Sequence, residues 1–306
     1  MKHASLFSRF FLGVVSACAT TTGQIALAAP PQACVTLTHG ATHDTPQGVT
    51  YDSVQLRTPD GQSTLTARHL TLNGKPADPA ATDDLAAAAS LLVLAAMTNT
   101  HTRSCSVWLA QQGQIAETAL QAGKMLDLTW QSTTITHRTA KVTLGTLHFQ
   151  IQGGAPLASA TLALSGIGYH NVADQSLLPS DAQARFSLPT RELAGLMDAI
   201  GGRSTASPAV HTTLSAFTAT QGDIRLEGHG SATLTGDVNT TSALGHLEVS
   251  NLPELIQHAR EEQQMKLAAG LALARLVSHR EGDRNTWDTT WESGVLTVNG
   301  FPLPLK

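Results

Sequence analysis

Apolar positions in this chain recur mostly at every second residue, in short β-branched runs broken by turns. Residues 35–38, 54–57 and 70–72 predict half-buried antiparallel strands, closing on the Asn73-Gly74-Lys75-Pro76 turn. The clearest alternation spans 126–164: Leu126, Leu128 and Trp130 share one side, as do Val142 and Leu144. Leu147, Phe149 and Ile151 then follow the opposite parity, so a bulge is expected at Gly145-Thr146. A further strand is predicted at 104–109, followed by a short amphipathic stretch at 115–125.

Three helices punctuate the strands. An Ala/Leu run predicts one over 82–98, capped by Thr82-Asp83-Asp84. Residues 184–200 and 245–259 echo each other: a strand, then Leu-Pro, then a helix with apolar residues at i, i+3, i+4 and i+7. Leu193, Leu196, Met197 and Ile200 form the first stripe; Leu252, Leu255, Ile256 and Ala259 form the second. Thr190 and Asn251 are the expected N-caps, and the second helix is expected to reach about residue 279, bending at Gly270.

Composition narrows the function classes. Of 306 residues 42% are hydrophobic, enough for a sizeable core, while only 14% are charged. The net charge of −4 lacks the basic excess that nucleic-acid binding needs, so no nucleic-acid partner is expected. Lys2, Arg9, the apolar stretch after them and Ala26-Leu27-Ala28 read as a secretory signal over 1–28, leaving one β-rich periplasmic domain at 29–306 with a subdivision near 155 as the alternative. Val15-Ser16-Ala17-Cys18 offers a second reading, lipoprotein processing at Cys18. Either way Cys34 and Cys105 remain, and an oxidising compartment predicts a disulfide between them, worth on the order of 4 kcal/mol.

Motifs for catalysis do not surface. The chain has no Gly-x-Ser-x-Gly, His-Glu-x-x-His, phosphate loop or Cys-x-x-Cys. Gly228-His229-Gly230 reads as a hairpin turn, and His39, His43 and Asp44 as a solvated loop. No catalytic residue, metal site or cofactor is expected.

The C-terminal text does carry a resemblance. GHGSATLTGDVNTTSALGHLEVSNLPELI (228–256) and TWESGVLTVNGFPLPLK (290–306), with Gly294, Leu296 and Gly300 filling a Gly-x-Leu-x-x-x-Gly element, resemble the uncharacterised bacterial envelope family called domain of unknown function twenty-one twenty-five. More distantly the chain is similar to AsmA-like envelope proteins, whose long sheets form lipid-carrying grooves. Neither resemblance supplies a catalytic residue.

The fold expected is therefore α+β: a curved antiparallel sheet covered on one face by helices. The function expected is non-enzymatic, in the cell envelope. One reading holds a lipid-like ligand in a sheet–helix groove lined by Leu126, Leu128, Trp130, Val142 and Leu144; another is a structural or assembly scaffold, partnered by another envelope protein, whose groove its own helices fill. A hydrolase with dispersed catalytic residues is the alternative.

Overall fold

The computed structural model describes residues 30–74, 79–202, 209–235 and 239–303. The expected signal segment, its Cys18 and the Lys75-Pro76 half of the first turn lie outside the described residues.

Among the described residues sixteen strands join one sheet, and its pairings are antiparallel. The first part comprises β1 (Thr36–Thr38), β2 (Thr42–Asp44), β3 (Gly48–Arg57) and β4 (Ser63–Asn73). Next come β5 (Met125–His137), β6 (Ala140–Gln152), β7 (Leu157–Ser165), β8 (Gly168–His170) and β9 (Asp181–Pro189). The second part holds β10 (Val210–Gln221), β11 (Ile224–Leu234), β12 (Ser242–Ser250), β13 (His279–Glu281), β14 (Arg284–Glu292), β15 (Val295–Val298) and β16 (Phe301–Leu303). Spatial order follows chain order, with β2, β8 and β13 pairing beside the main path.

The parity change near Gly145 is one point on a row that crosses six strand lines. Ladder pairs on either side set Gly40 opposite Ser53, Ser53 opposite Arg68, Arg68 opposite Ser132 and Ser132 opposite Gly145. Gly145 N donates to Gly166 O at 3.2 Å, which extends the row. Ser53, Ser132 and Gly166, on alternate strand lines, have φ of 51°, 50° and 63°. Each strand skips one residue there, so Val49 and Tyr51 on one side of Ser53 and Val54 and Leu56 on the other all reach the same core. A lone bulge would have shifted one strand against its neighbour. Here the neighbours skip together and the register survives.

Helix α1 (Pro79–Thr98) begins before the predicted cap. Proline is tolerated in a first helical turn, so Thr82-Asp83-Asp84 lie inside the helix, where Asp83 Oδ1 accepts from Tyr51 Oη at 2.7 Å. It is long and apolar enough to cross a membrane, but 56% of its most apolar window is buried in the fold. Trp130 Nε1 donates to its Ser90 Oγ at 3.1 Å, which satisfies a buried indole.

The strand expected at 104–109 is instead a 3-10 turn, Arg103–Cys105, running into α2 (Ser106–Gln121). Trp108, Leu109, Gln112, Ala116 and Leu120 are buried at helical spacing, a stripe that Gln111-Gln112-Gly113 hides in the text. Gly113 is required there: a Cβ would meet Ala194 Cα at 2.5 Å, so α2 and α3 (Leu193–Gly201) cross in close contact.

Both Leu-Pro echoes are strand-then-helix units, β9 to α3 and β12 to α4 (Leu252–Glu261). The expected caps differ. Thr190 starts a 3-10 turn and donates to Gly154 O at 2.6 Å, and Asn251 donates through Nδ2 to Asp223 O at 2.7 Å instead of capping α4. The long C-terminal helix is also two: Gln263 turns left-handed at φ 60°, and α5 (Met265–Leu276) starts after it. The polar run 261–264 gives the chain no apolar residue to bury there, whereas α5 continues through Gly270.

Two hydrophobic cores result. The larger gathers α1, α2 and α3 with β3–β7 and β9; the smaller gathers Val249, Leu252, Ile256, Trp287 and Val298. Cys34 and Cys105 stand at disulfide distance, with sulfurs 2.14 Å and Cα atoms 4.8 Å apart. The bond ties the segment before β1 to the start of α2.

Candidate functional site

Leu126, Leu128, Trp130 and Leu144 are at most 6% exposed, and Val142 packs against the same core. The five do share a side, as their alternation implies. That side is buried in the larger core, where Trp130 reaches Ser90 of α1, and leaves no open groove beside these five residues. The open apolar volume lies further along the sheet, between the two cores.

Phe186 and Leu196 belong to the edge of the larger core, Leu247 and Leu296 to the edge of the smaller one. Between them lies a cavity of about 550 Å3. Alternation sets its floor. Leu214 pairs with Gly230, Gly230 with Gly245, and Gly245 with Thr289, while Ala232 pairs with Ala243 one step along. The row on the other side runs Phe217, Gly228, Leu247, Trp287, and Trp287 is already part of the smaller core. At Gly230 a Cβ would meet Leu244 O at 2.3 Å, so the backbones themselves require glycine. A Ser215-Ala216 irregularity in β10 keeps Leu214 and Phe217 on the cavity side although they are three residues apart. Leu196 and Ile200 of α3 line it from the helical side, and Trp291 closes it on β14.

The reverse side of the same strands is polar. Glu227 pairs with Glu248 and His229 with His246, whose rings are 5.4 Å apart. Arg225 Nη2 donates to Glu227 Oε1 at 2.7 Å and holds that carboxyl below its usual range. Arg284 Nε lies 3.2 Å from Glu248 Oε1, an ion pair without hydrogen-bond alignment. His246 Nδ1 is 2.8 Å from Asp288 Oδ1. Charges here are matched within the array. Among the described residues no group of three or more His, Cys, Asp or Glu is placed to hold a metal.

A second polar cluster sits beside the row of skipped residues. His43 Nε2 and His69 Nδ1 each lie 2.8 Å from the Asp52 carboxylate and hold its pKa low. It is exposed and spread over three strands, an ion-pair network on a solvated surface.

The glycine floor escaped the sequence reading, because Gly228-His229-Gly230 looks like a turn. It lies in the middle of β11. The signal was present in the alternation itself: Glu227, His229 and Ser231 fall on one side, Gly228, Gly230 and Ala232 on the other, and 243–249 repeats the arrangement in reverse. Glycine counted as a breaker conceals a strand whose inner side is bare.

Comparison with family models, curated proteins and solved structures finds no match for this chain.

Proposed function

We propose that this chain is a non-enzymatic protein of the cell envelope that holds a lipid-like ligand in the cavity between its two cores. The observation that carries this reading is the 550 Å3 apolar cavity with a glycine floor. Ligand pockets have this size and character, mostly apolar with few polar groups. Strands β3, β4 and β5 pack against α1, whereas β11 and β12 meet the cavity with glycine and alanine.

The wider architecture in this reading is a curved sheet with its helices gathered on one face, the cavity being the gap between α3 and α4. The signal-like text at 1–28, the Cys34–Cys105 bond and the resemblance to AsmA-like envelope proteins support a periplasmic setting. Native mass spectrometry of the protein purified from its own envelope tests the proposal. A co-purified lipid lost on organic extraction is expected. Protein that emerges bare and takes up no apolar ligand on reconstitution leaves the scaffold reading in its place.

A further inference from the structure

On the polar side of the same strands, one pair of histidines stands apart from the others. His229 of β11 is paired directly with His246 of β12, and their ring centres are 5.4 Å apart with the planes inclined at 30°. Among the described residues no other two histidine rings are in contact. His246 is paired in turn with Asp288 of β14, whose Oδ1 lies 2.8 Å from His246 Nδ1. Asp288 is itself held in place by Asn299. Its N–H donates to Asn299 Oδ1 at 2.7 Å, and its carbonyl accepts from the Asn299 N–H at 2.8 Å.

These contacts decide which nitrogens can act as ligands. A neutral imidazole has one N–H and one lone pair, and an ionised carboxylate only accepts. The Asp288 carboxylate therefore draws the proton to His246 Nδ1 and leaves the lone pair on Nε2. Carboxylates orient metal-ligating histidines in the same way. The His229 ring takes no hydrogen bond from the described residues, so its lone pair is available in either tautomer. The guanidiniums on these strands are engaged elsewhere, Arg225 by Glu227 and Arg284 by Glu248, so neither competes for the pair.

Ring spacing points to the ion. Tetrahedral zinc binds imidazole nitrogen at about 2.05 Å, which sets the centres of two bound rings about 5 Å apart. A square-planar ion with the rings in adjacent positions draws them to about 4.5 Å. The observed 5.4 Å is nearer the first. Only two ligands come from the chain, and on this open surface water completes the tetrahedron.

We infer that His229 and His246 chelate one zinc ion on the polar side of the sheet, with Asp288 as the positioning residue that orients His246. Competition of the full chain against a chromophoric zinc indicator tests this. One zinc per chain is expected in the tightest class of sites. His229→Gln and His246→Gln should each weaken that class at least tenfold, and Asp288→Asn about tenfold, while His69→Gln leaves it unchanged. Diethyl pyrocarbonate labelling of the parent protein, mapped by mass spectrometry, reads the site without any variant. One equivalent of zinc should protect His229 and His246 and leave His43, His69 and His148 as reactive as before. Protection of other histidines instead of these two overturns the inference, as does zinc binding that survives both histidine variants in folded protein. A chain with no saturable zinc binding overturns it as well. An unchanged affinity in Asp288→Asn would overturn the part assigned to Asp288. None of these outcomes bears on the cavity, which lies on the opposite side of the strands.

Discussion

Ser53 of β3 and Ser132 of β5 hold the same left-handed backbone, φ 51° and 50°, with Arg68 of β4 between them. For an L residue that conformation costs roughly 1–2 kcal/mol, and it persists because both neighbouring ladders require the skip. Glycine removes the steric cost and a β-branched residue aggravates it. Ser132→Gly is therefore expected to leave stability unchanged or raise it by up to about 1 kcal/mol, and Ser132→Val to lower it by about 1–2 kcal/mol. Urea midpoints measure the contrast; equal midpoints for the two variants would refute the account of the row.

Leu128 is 1% exposed and sits in the larger core. Leu128→Ala should cost about 2–5 kcal/mol, and Leu128→Glu, which buries a charge without a partner, should prevent folding outright. Circular dichroism of the two variants checks this. A folded Leu128→Glu protein with normal melting would show that this side of β5 is open after all.

Ser90 supplies the acceptor for the Trp130 indole in the same core. Ser90→Ala strands that N–H in an apolar environment, at a cost of about 1–3 kcal/mol. The double variant Ser90→Ala with Trp130→Phe should recover part of the loss, since no donor remains to be satisfied. A thermodynamic cycle over the two sites reads the coupling, and additive losses would contradict it.

Cys34 and Cys105 are both fully buried. Alkylation of the unreduced, denatured protein should label neither of them, and Cys34→Ser with Cys105→Ser should cost about 2–5 kcal/mol. Quantitative labelling of both under those conditions would mean that the bridge does not form.

Asp52 is an acid-side stabiliser. Its carboxyl is held below its ordinary range, first by the hydrogen bond from His43 and then by that from His69. A carboxylate with a lowered folded pKa contributes stability above its unfolded value, near 3.9, and loses it as pH falls through the lowered one. Asp52→Asn should accordingly be less stable than the parent at pH 6, with the gap closing below about pH 4. Denaturation curves across that range give the answer; a gap that widens toward low pH would have the wrong sign.

Legibility in the sequence followed the physics of each segment. Alternation found β5, β6 and β7 because Leu, Trp, Phe and Ile mark the buried side with large residues. It also located the parity change at Gly145, though not its extent, since Ser53, Arg68 and Ser132 carry no textual sign of sharing one row. Two cysteines predicted their own pairing. Helix α2 was missed because its buried stripe includes Gln112 and Gly113, chosen for a close helix crossing and not for hydrophobicity. The expected groove residues are buried, and the open cavity lies instead beside β11 and β12, for a related reason. Large apolar residues advertise a side that is filled, while an empty site is built from what is absent, here the side chains of Gly228, Gly230 and Gly245.

The order of strands in space copies their order in the chain from β3 to β16. Many neighbours are joined by tight turns, whereas the β4–β5, β9–β10 and β12–β14 connections carry the helices, so loop closure is cheap within each run of hairpins and costlier between runs. The rim strands differ from the interior ones in having a partner on one side only. A hairpin added at or lost from either rim would therefore change the length of the molecule without rewiring any other pairing. Growth and shrinkage of such a protein are matters of repetition at its rims, and the pairings around the cavity between the cores would be unaffected.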